Sequence, residues 1–162
     1  MPRLVTSLWF DDQALEAAER YCSVFPRSEI TRVARYGEAG PGEPGTVLTV
    51  DFTLDGTPFN AINGGPLFTF SEATALVVDC ADQDEVDRYW AALTDGGEQG
   101  RCGWCKDRYG LSWQVVPRQL GDLLGDPDPD RARRATEAML RMAKLDVAAL
   151  QAAADGTAGD GG

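Results

Sequence analysis

The chain has 162 residues, a net charge of −11 and no histidine. So acidic a surface repels phosphate backbones, which excludes nucleic acid as an expected partner, and no apolar run reaches the roughly 18 residues that would cross a bilayer. Without histidine the commonest metal ligand and the commonest general base near neutral pH are both missing, so any chemistry falls to carboxylates, amides, hydroxyls, thiols or a bound cofactor.

The length suits one domain, or two small modules sharing a core. A hydrophobic content of 43% with 25% charged residues is ordinary for a globular chain. The start, Met1-Pro2-Arg3-Leu4, passes directly into a strand-like segment without the apolar core of a signal peptide, so the cytoplasm is the expected compartment.

In chain order, Thr6 to Asp11 reads as a short strand ending in an acidic residue. A helix follows with the apolar stripe Ala18, Tyr21, Cys22 and Phe25. Ile30 to Tyr36 and Thr46 to Leu54 read as strands, the second with Leu48, Val50, Phe52 and Leu54 alternating with more polar positions. Between them lies a turn-rich loop, Gly37 to Gly45, and Asp55-Gly56 supplies a hairpin turn. Sixty-eight positions after Thr6, Thr74 to Asp79 repeats the strand, and Val86, Tyr89, Trp90 and Leu93 repeat the helical stripe. Asp82 with Glu85 resembles a capping box. Gly56 to Ile62 and Gly110 to Val116 also match: a turn glycine, a large aromatic, a carboxamide and two apolar residues. A short strand near Glu98 to Arg101 and a hairpin of Trp104 to Asp107 with Leu111 to Val116 complete the second half. After Pro117 the chain turns helical. Asp126 to Pro129 breaks a short helix, Asp130 caps the next, Asp146 caps a last one through Leu150, and residues 155–162 are expected to be disordered.

The duplicated βαβββ pattern resembles the vicinal-oxygen-chelate proteins, a group that includes glyoxalase I, extradiol dioxygenases, and the fosfomycin- and bleomycin-resistance proteins. More narrowly it resembles the PhnB-like family labelled 3-demethylubiquinone-9 3-methyltransferase. The segments that carry the likeness are Leu8 to Asp12, Tyr36 to Gly42, Phe59 to Gly65, Cys102 to Trp104 and Lys106 to Pro117. The fold class this implies is α+β: two βαβββ modules, residues 3–66 and 71–117, forming incurved sheets around a cleft. Helices over 118–152 complete a single domain of residues 1–154. The resemblance also implies homodimers.

Metal enzymes of that fold carry His, Gln or Glu ligands on the first and last strands of each module. Carried onto this sequence, those positions fall at Val5 or Thr6, at Ala73 or Thr74, and at Asn60 and Gln114. Aliphatic groups, a hydroxyl and neutral amides hold a transition metal poorly, so neither a metal nor another cofactor is expected. Asn60, Asn63, Gln114, Trp9 and Trp104 are the candidate ligand-binding residues, with the Asn63-Gly64-Gly65-Pro66 loop able to bring backbone close to a ligand. Glu72 and Asp107 are weak candidates for acid–base work, solvation or backbone bonding being the plainer reading of each. Phe59 and Trp113 belong on the opposite strand face from the amides, toward the helices. Cys102-Gly103-Trp104-Cys105 is a C-x-x-C that enters a strand, with no helix to lower a thiol pKa and no second pair to complete a zinc site.

The expected function is metal-independent binding of a small molecule. The alternatives are a methyltransferase acting on a quinone-like substrate, as the family label says, and a protein that sequesters an aromatic toxin. For the first, the glycine-rich turn of a Rossmann-type donor site is missing after the opening strand.

Overall fold

The computed structural model describes residues 3–157. It divides after Phe70 into two compact units. In unit 1, strand β1 (Thr6–Phe10), helix α1 (Ala14–Val24) and strands β2 (Glu29–Arg35), β3 (Val47–Leu54) and β4 (Thr57–Asn63) follow one another. In unit 2 the same succession is β5 (Ala75–Cys80), α2 (Gln83–Thr94), β6 (Glu98–Gln99), β7 (Trp104–Lys106) and β8 (Ser112–Pro117). Each sheet has the order first, last, third, second: β1-β4-β3-β2 and β5-β8-β7-β6. The first strand runs parallel to the last, and the other pairs are antiparallel. This is the two-module vicinal-oxygen-chelate fold.

Local chemistry explains most of these elements. Val50, Phe52 and Leu54 of β3 are buried and their neighbours Asp51 and Thr53 are less so, as the alternation predicts. Asp55 and Gly56 both take positive φ, 48° and 76°, which closes β3 and β4 with a two-residue turn of the type that matches strand twist. Asp82 accepts the Glu85 N–H at 2.9 Å, and the Glu85 carboxylate reaches back to the Ala81 N–H at 2.8 Å. The reciprocal cap is therefore real, shifted outward by one residue on its return arm.

The repeat needs one correction. Across the sheets Ser7 pairs with Asn60 and Val77 with Gln114, so β1 maps onto β5 with an offset of seventy, not sixty-eight. Two residues is one full strand period, which preserves the face and hides the shift from any alternation count. The helical stripe of α2 is buried as predicted. In α1 the fully buried set is Ala14, Ala17, Ala18 and Tyr21, one turn earlier than the predicted stripe, and Cys22 and Phe25 are only half-buried. Three small residues on that stripe let the helix approach β3 closely, where Tyr21 meets Phe52.

The sheet faces divide the aromatics as predicted. Phe59 stacks on Phe52 with centroids 5.5 Å apart, and Trp113 is 2% exposed. Both lie on the helix-covered face.

Beyond β8 come α3 (Gln119–Leu124), α4 (Pro129–Met139) and α5 (Val147–Asp155). They share a core of Leu120, Leu123, Ala135, Leu145, Leu150 and Ala154. Asp128 rather than Asp130 caps α4, because Pro129 occupies the first helical position, where its missing N–H costs nothing. Asp146 caps α5 by accepting from Ala149 at 2.8 Å, and the helix outruns the expected end at Leu150, stopping at a left-handed Gly156. The helix thus covers the start of the expected disordered tail, whose last five residues, 158–162, lie outside the described ones.

The turn before β7 is stitched to the connection between α4 and α5. The N–H groups of Cys102 and Gly103 donate to the carbonyls of Met142 and Ala143, each at 2.8 Å. Gly103 has φ +83°, and a Cβ there would lie 2.7 Å from the Val115 carbonyl oxygen and 3.0 Å from a Leu145 methyl. Left-handed strain and overpacking add, so Gly103→Ala is expected to cost about 3 kcal/mol, read as a lowered urea midpoint at unchanged m-value.

Candidate functional site

Three of the segments that carry the family resemblance converge in unit 1 on a cleft of about 480 Å³. Asp11 and Asp12 reach it from the end of β1, Tyr36 and Gly42 from the glycine-rich loop, and Asn63, Gly64 and Gly65 from the end of β4. The glycines are needed for close approach: a Cβ on Gly42 would overlap the Tyr36 ring, and one on Gly64 would overlap the Trp9 ring. The Tyr36 hydroxyl donates to the Asn63 carbonyl at 2.7 Å, and the Trp9 indole donates to the Gly65 carbonyl at 2.9 Å. Phe68 packs edge-on against Trp9 with centroids 5.0 Å apart. Trp9 therefore spends its polar atom on the loop and offers a ligand only ring surface.

Asn63 is occupied with the fold. Its Oδ1 accepts the Ala14 N–H at 2.8 Å, and its Nδ2 donates to the Val47 carbonyl at 3.2 Å. Gln13, the residue in the cap position of α1, makes no side-chain cap. A carboxamide from the last residue of β4, paired with Phe10 at the end of β1, thus satisfies an orphan N–H of the helix start. Short-range sequence reading missed this role because cap and helix are separated by most of the module.

On the helix-free face of unit 1, Ser7, Asn60 and Asp51 stand side by side across β1, β4 and β3. The Ser7 hydroxyl donates to Asn60 Oδ1 at 3.1 Å, and Asn60 Nδ2 donates to Asp51 Oδ1 at 2.6 Å. The same row in unit 2 reads Val77, Gln114 and Trp104. Lys106 and Ser112 face each other two pairs further along, and Lys106 Nζ lies 2.5 Å from Glu72 Oε1. That hydrogen bond from Lys106 holds the Glu72 carboxyl below the usual range and pushes the Lys106 ammonium up. Glu72 is thereby an ionised partner rather than an acid poised near neutrality.

Asp107 is 4% exposed. Its Oδ1 accepts the N–H groups of Tyr109 and Leu111 at 2.9 and 3.1 Å, and its Oδ2 accepts the Trp113 indole at 2.9 Å. These bonds shape the β7–β8 hairpin and pin the central tryptophan. Cys102 is half-buried with φ 57°, while Cys105 is buried in β7 and burial pushes its thiol up to about 12. Burial likewise raises Cys80 to about 11. Neither buried sulfur is a thiolate at neutral pH.

With this geometry in hand, a comparison with known families gives a match over residues 2–116 to the family described as 3-demethylubiquinone-9 3-methyltransferase. The chain belongs to this family. Helices α3, α4 and α5 lie outside the matched stretch. Among solved structures, the PhnB protein from Bacillus cereus, which bears the same methyltransferase label, is 36% identical. The match covers 72% of this chain and 99% of that one, with a TM-score of 0.66. Protein PA1353 from Pseudomonas aeruginosa is 16% identical over 72% of this chain and 98% of its own, with a TM-score of 0.60. The fosfomycin resistance protein FosX from Listeria monocytogenes, complexed with Mn(II) and sulfate, is 12% identical over 76% of this chain and 95% of its own. Its TM-score of 0.52 places it in the same fold. No curated protein matches the chain.

Two predictions follow from the buried groups. Asp107→Asn keeps the shape but cannot accept at every former position, so it should lower stability by about 2–4 kcal/mol in urea titrations, an effect on the hairpin and not on any proton-transfer step. For the thiols, the raised values mean that the folded chain keeps protons the unfolded chain loses. Their contribution is fully present below the ordinary thiol value of 9.0 and lost as pH rises toward about 11 and 12. Urea midpoints should fall across that window, and Cys80→Ala with Cys105→Ala should flatten the fall.

Proposed function

We propose that this protein binds a small organic molecule without the help of a metal ion. The observation that carries this reading is the donor set on the first and last strands of each unit. Register pairs Ser7 with Asn60 and Val77 with Gln114, on the strands where the resemblance puts the ligands of metal enzymes. The first-strand positions expected from the sequence, Val5 or Thr6 and Ala73 or Thr74, lead to the same chemistry. Val77 has no lone pair. Asn60 has its oxygen turned to Ser7 and its nitrogen to Asp51. Two amides, one of them already spent, and a serine hydroxyl do not fit a transition metal that takes imidazole, carboxylate or thiolate. Among the described residues no three Asp, Glu or Cys side chains gather where they would share an ion.

The organic-ligand half of the reading is supported by the cleft of about 480 Å³ in unit 1, which lies in the usual size range of small-molecule sites, and by the half-buried Trp104 beside Gln114 in unit 2. The test is the thermal midpoint of the purified protein with and without Mn, Co, Ni and Zn. A ligand at 100 times its dissociation constant that binds only the folded state adds about 2.7 kcal/mol, a shift of several degrees. No metal should move the midpoint, whereas a panel of small aromatic compounds should contain members that do. A metal-induced shift abolished by Gln114→Ala would overturn the proposal.

A further inference from the structure

The two units share a topology but spend their polar groups differently. On the helix-free face of unit 1 the row is closed, Ser7 bonding to Asn60 and Asn60 to Asp51. In unit 2 the matching row is open. Among the described residues, neither the Gln114 carboxamide nor the Trp104 indole N–H has a hydrogen-bond partner. Ser112, two residues before Gln114 on the same face of β8, is 1% exposed, and its Oγ has no partner either. A buried hydroxyl left unpaired is a cost to the fold, and native structures rarely carry one without a reason.

Ser112 and Trp104 line a cavity of about 160 Å³, together with Lys106 and Glu72. At about 30 Å³ per water, that volume is worth about five waters, the size of one substituted ring. Its charge sorts the ligands. Lys106 and Glu72 cancel each other as an ion pair, and Glu98 adds a further carboxylate to the wall, so an anion is disfavoured. Trp104 contributes a flat apolar surface suited to stacking. Ser112 both donates and accepts and the indole adds one donor, while Gln114, outside the lining but paired with Trp104 across β7 and β8, offers an amide with both capacities.

We infer that the β7–β8 face of unit 2 binds an uncharged aromatic molecule bearing a hydroxyl or carbonyl group, its ring against Trp104 and its polar group on Ser112 and Gln114. This rests on the metal-independent reading above and adds to it the class of ligand and the half of the molecule that holds it. The pocket is built for binding and not for attack by Ser112. Lys106, the residue facing it, stays an ammonium beside Glu72 and cannot take the serine's proton.

The experiment is a titration of the full ¹⁵N-labelled chain with 4-hydroxybenzamide, which is uncharged at neutral pH, followed through the separate indole signals of Trp9, Trp90, Trp104 and Trp113 and the side-chain amide of Gln114. The Trp104 and Gln114 signals should move saturably while Trp9 stays in place. Ser112→Ala and Gln114→Ala should each weaken binding about tenfold, the loss of one or two neutral hydrogen bonds. Ser112→Ala should also hold or raise the thermal midpoint, since it removes an unpaired buried hydroxyl, so its weaker binding cannot come from unfolding. Movement of Trp9 in place of Trp104, unchanged affinity in both variants, or no movement at millimolar probe would each overturn the inference and leave the broader reading standing. Selective broadening of Gln114 by Mn(II), with a rise in midpoint, would instead overturn the metal-independent reading itself.

Discussion

Each unit is organised by a parallel pair, β1 with β4 and β5 with β8. Parallel neighbours cannot be joined by a tight hairpin, so the chain between them must cross over. Here the crossing carries a helix and two further strands, and the last strand returns to the inside of the sheet. That strand then has two unlike faces. One is pressed under the helix and takes Phe59 or Trp113, while the other takes Asn60 or Gln114. The separation of packing residues from binding candidates is a consequence of this pairing. So is the placing of the glycine-bearing turn after β4 beside the start of α1, where the cleft of unit 1 forms.

The parts of this fold that depend on neighbours in sequence were legible. The alternation through β3, the Asp55-Gly56 turn, the Asp82–Glu85 cap and the buried stripe of α2 were each written in a window of a few residues. What was not legible depends on distance. Three residues link β1 to α1 and two link β5 to α2, so strand and helix carry different offsets, and a shift of two along a strand leaves its pattern intact. The cap on α1 comes from Asn63, about a module's length away. The cap on α4 moved to Asp128 because a proline outranks an aspartate as a first helical residue.

For the candidate site the balance is similar. The lack of histidine is a matter of composition and could be read at once. Which amide is free and which is committed could not, since that depends on the residue across the sheet: aspartate and serine beside Asn60, tryptophan and valine beside Gln114. Asp107 looked like a carboxylate beside a strand and turned out to hold the hairpin together. The one signal available for the cleft of unit 1 was the density of glycines around Tyr36 and after Asn63. Such glycines mark places where backbone lies flat against an aromatic ring.

The unequal commitment of the two halves has a consequence for how such a chain changes over time. A homodimer of single modules would write every substitution twice, and a polar group freed in one copy would be freed in both. A fused pair escapes that restriction. One half can tie its side chains into its own cohesion while the other keeps them available, and each can drift toward its task without undoing the other. Duplication here sets a half whose polar row is closed, Ser7 to Asn60 to Asp51, beside a half whose matching row stays open.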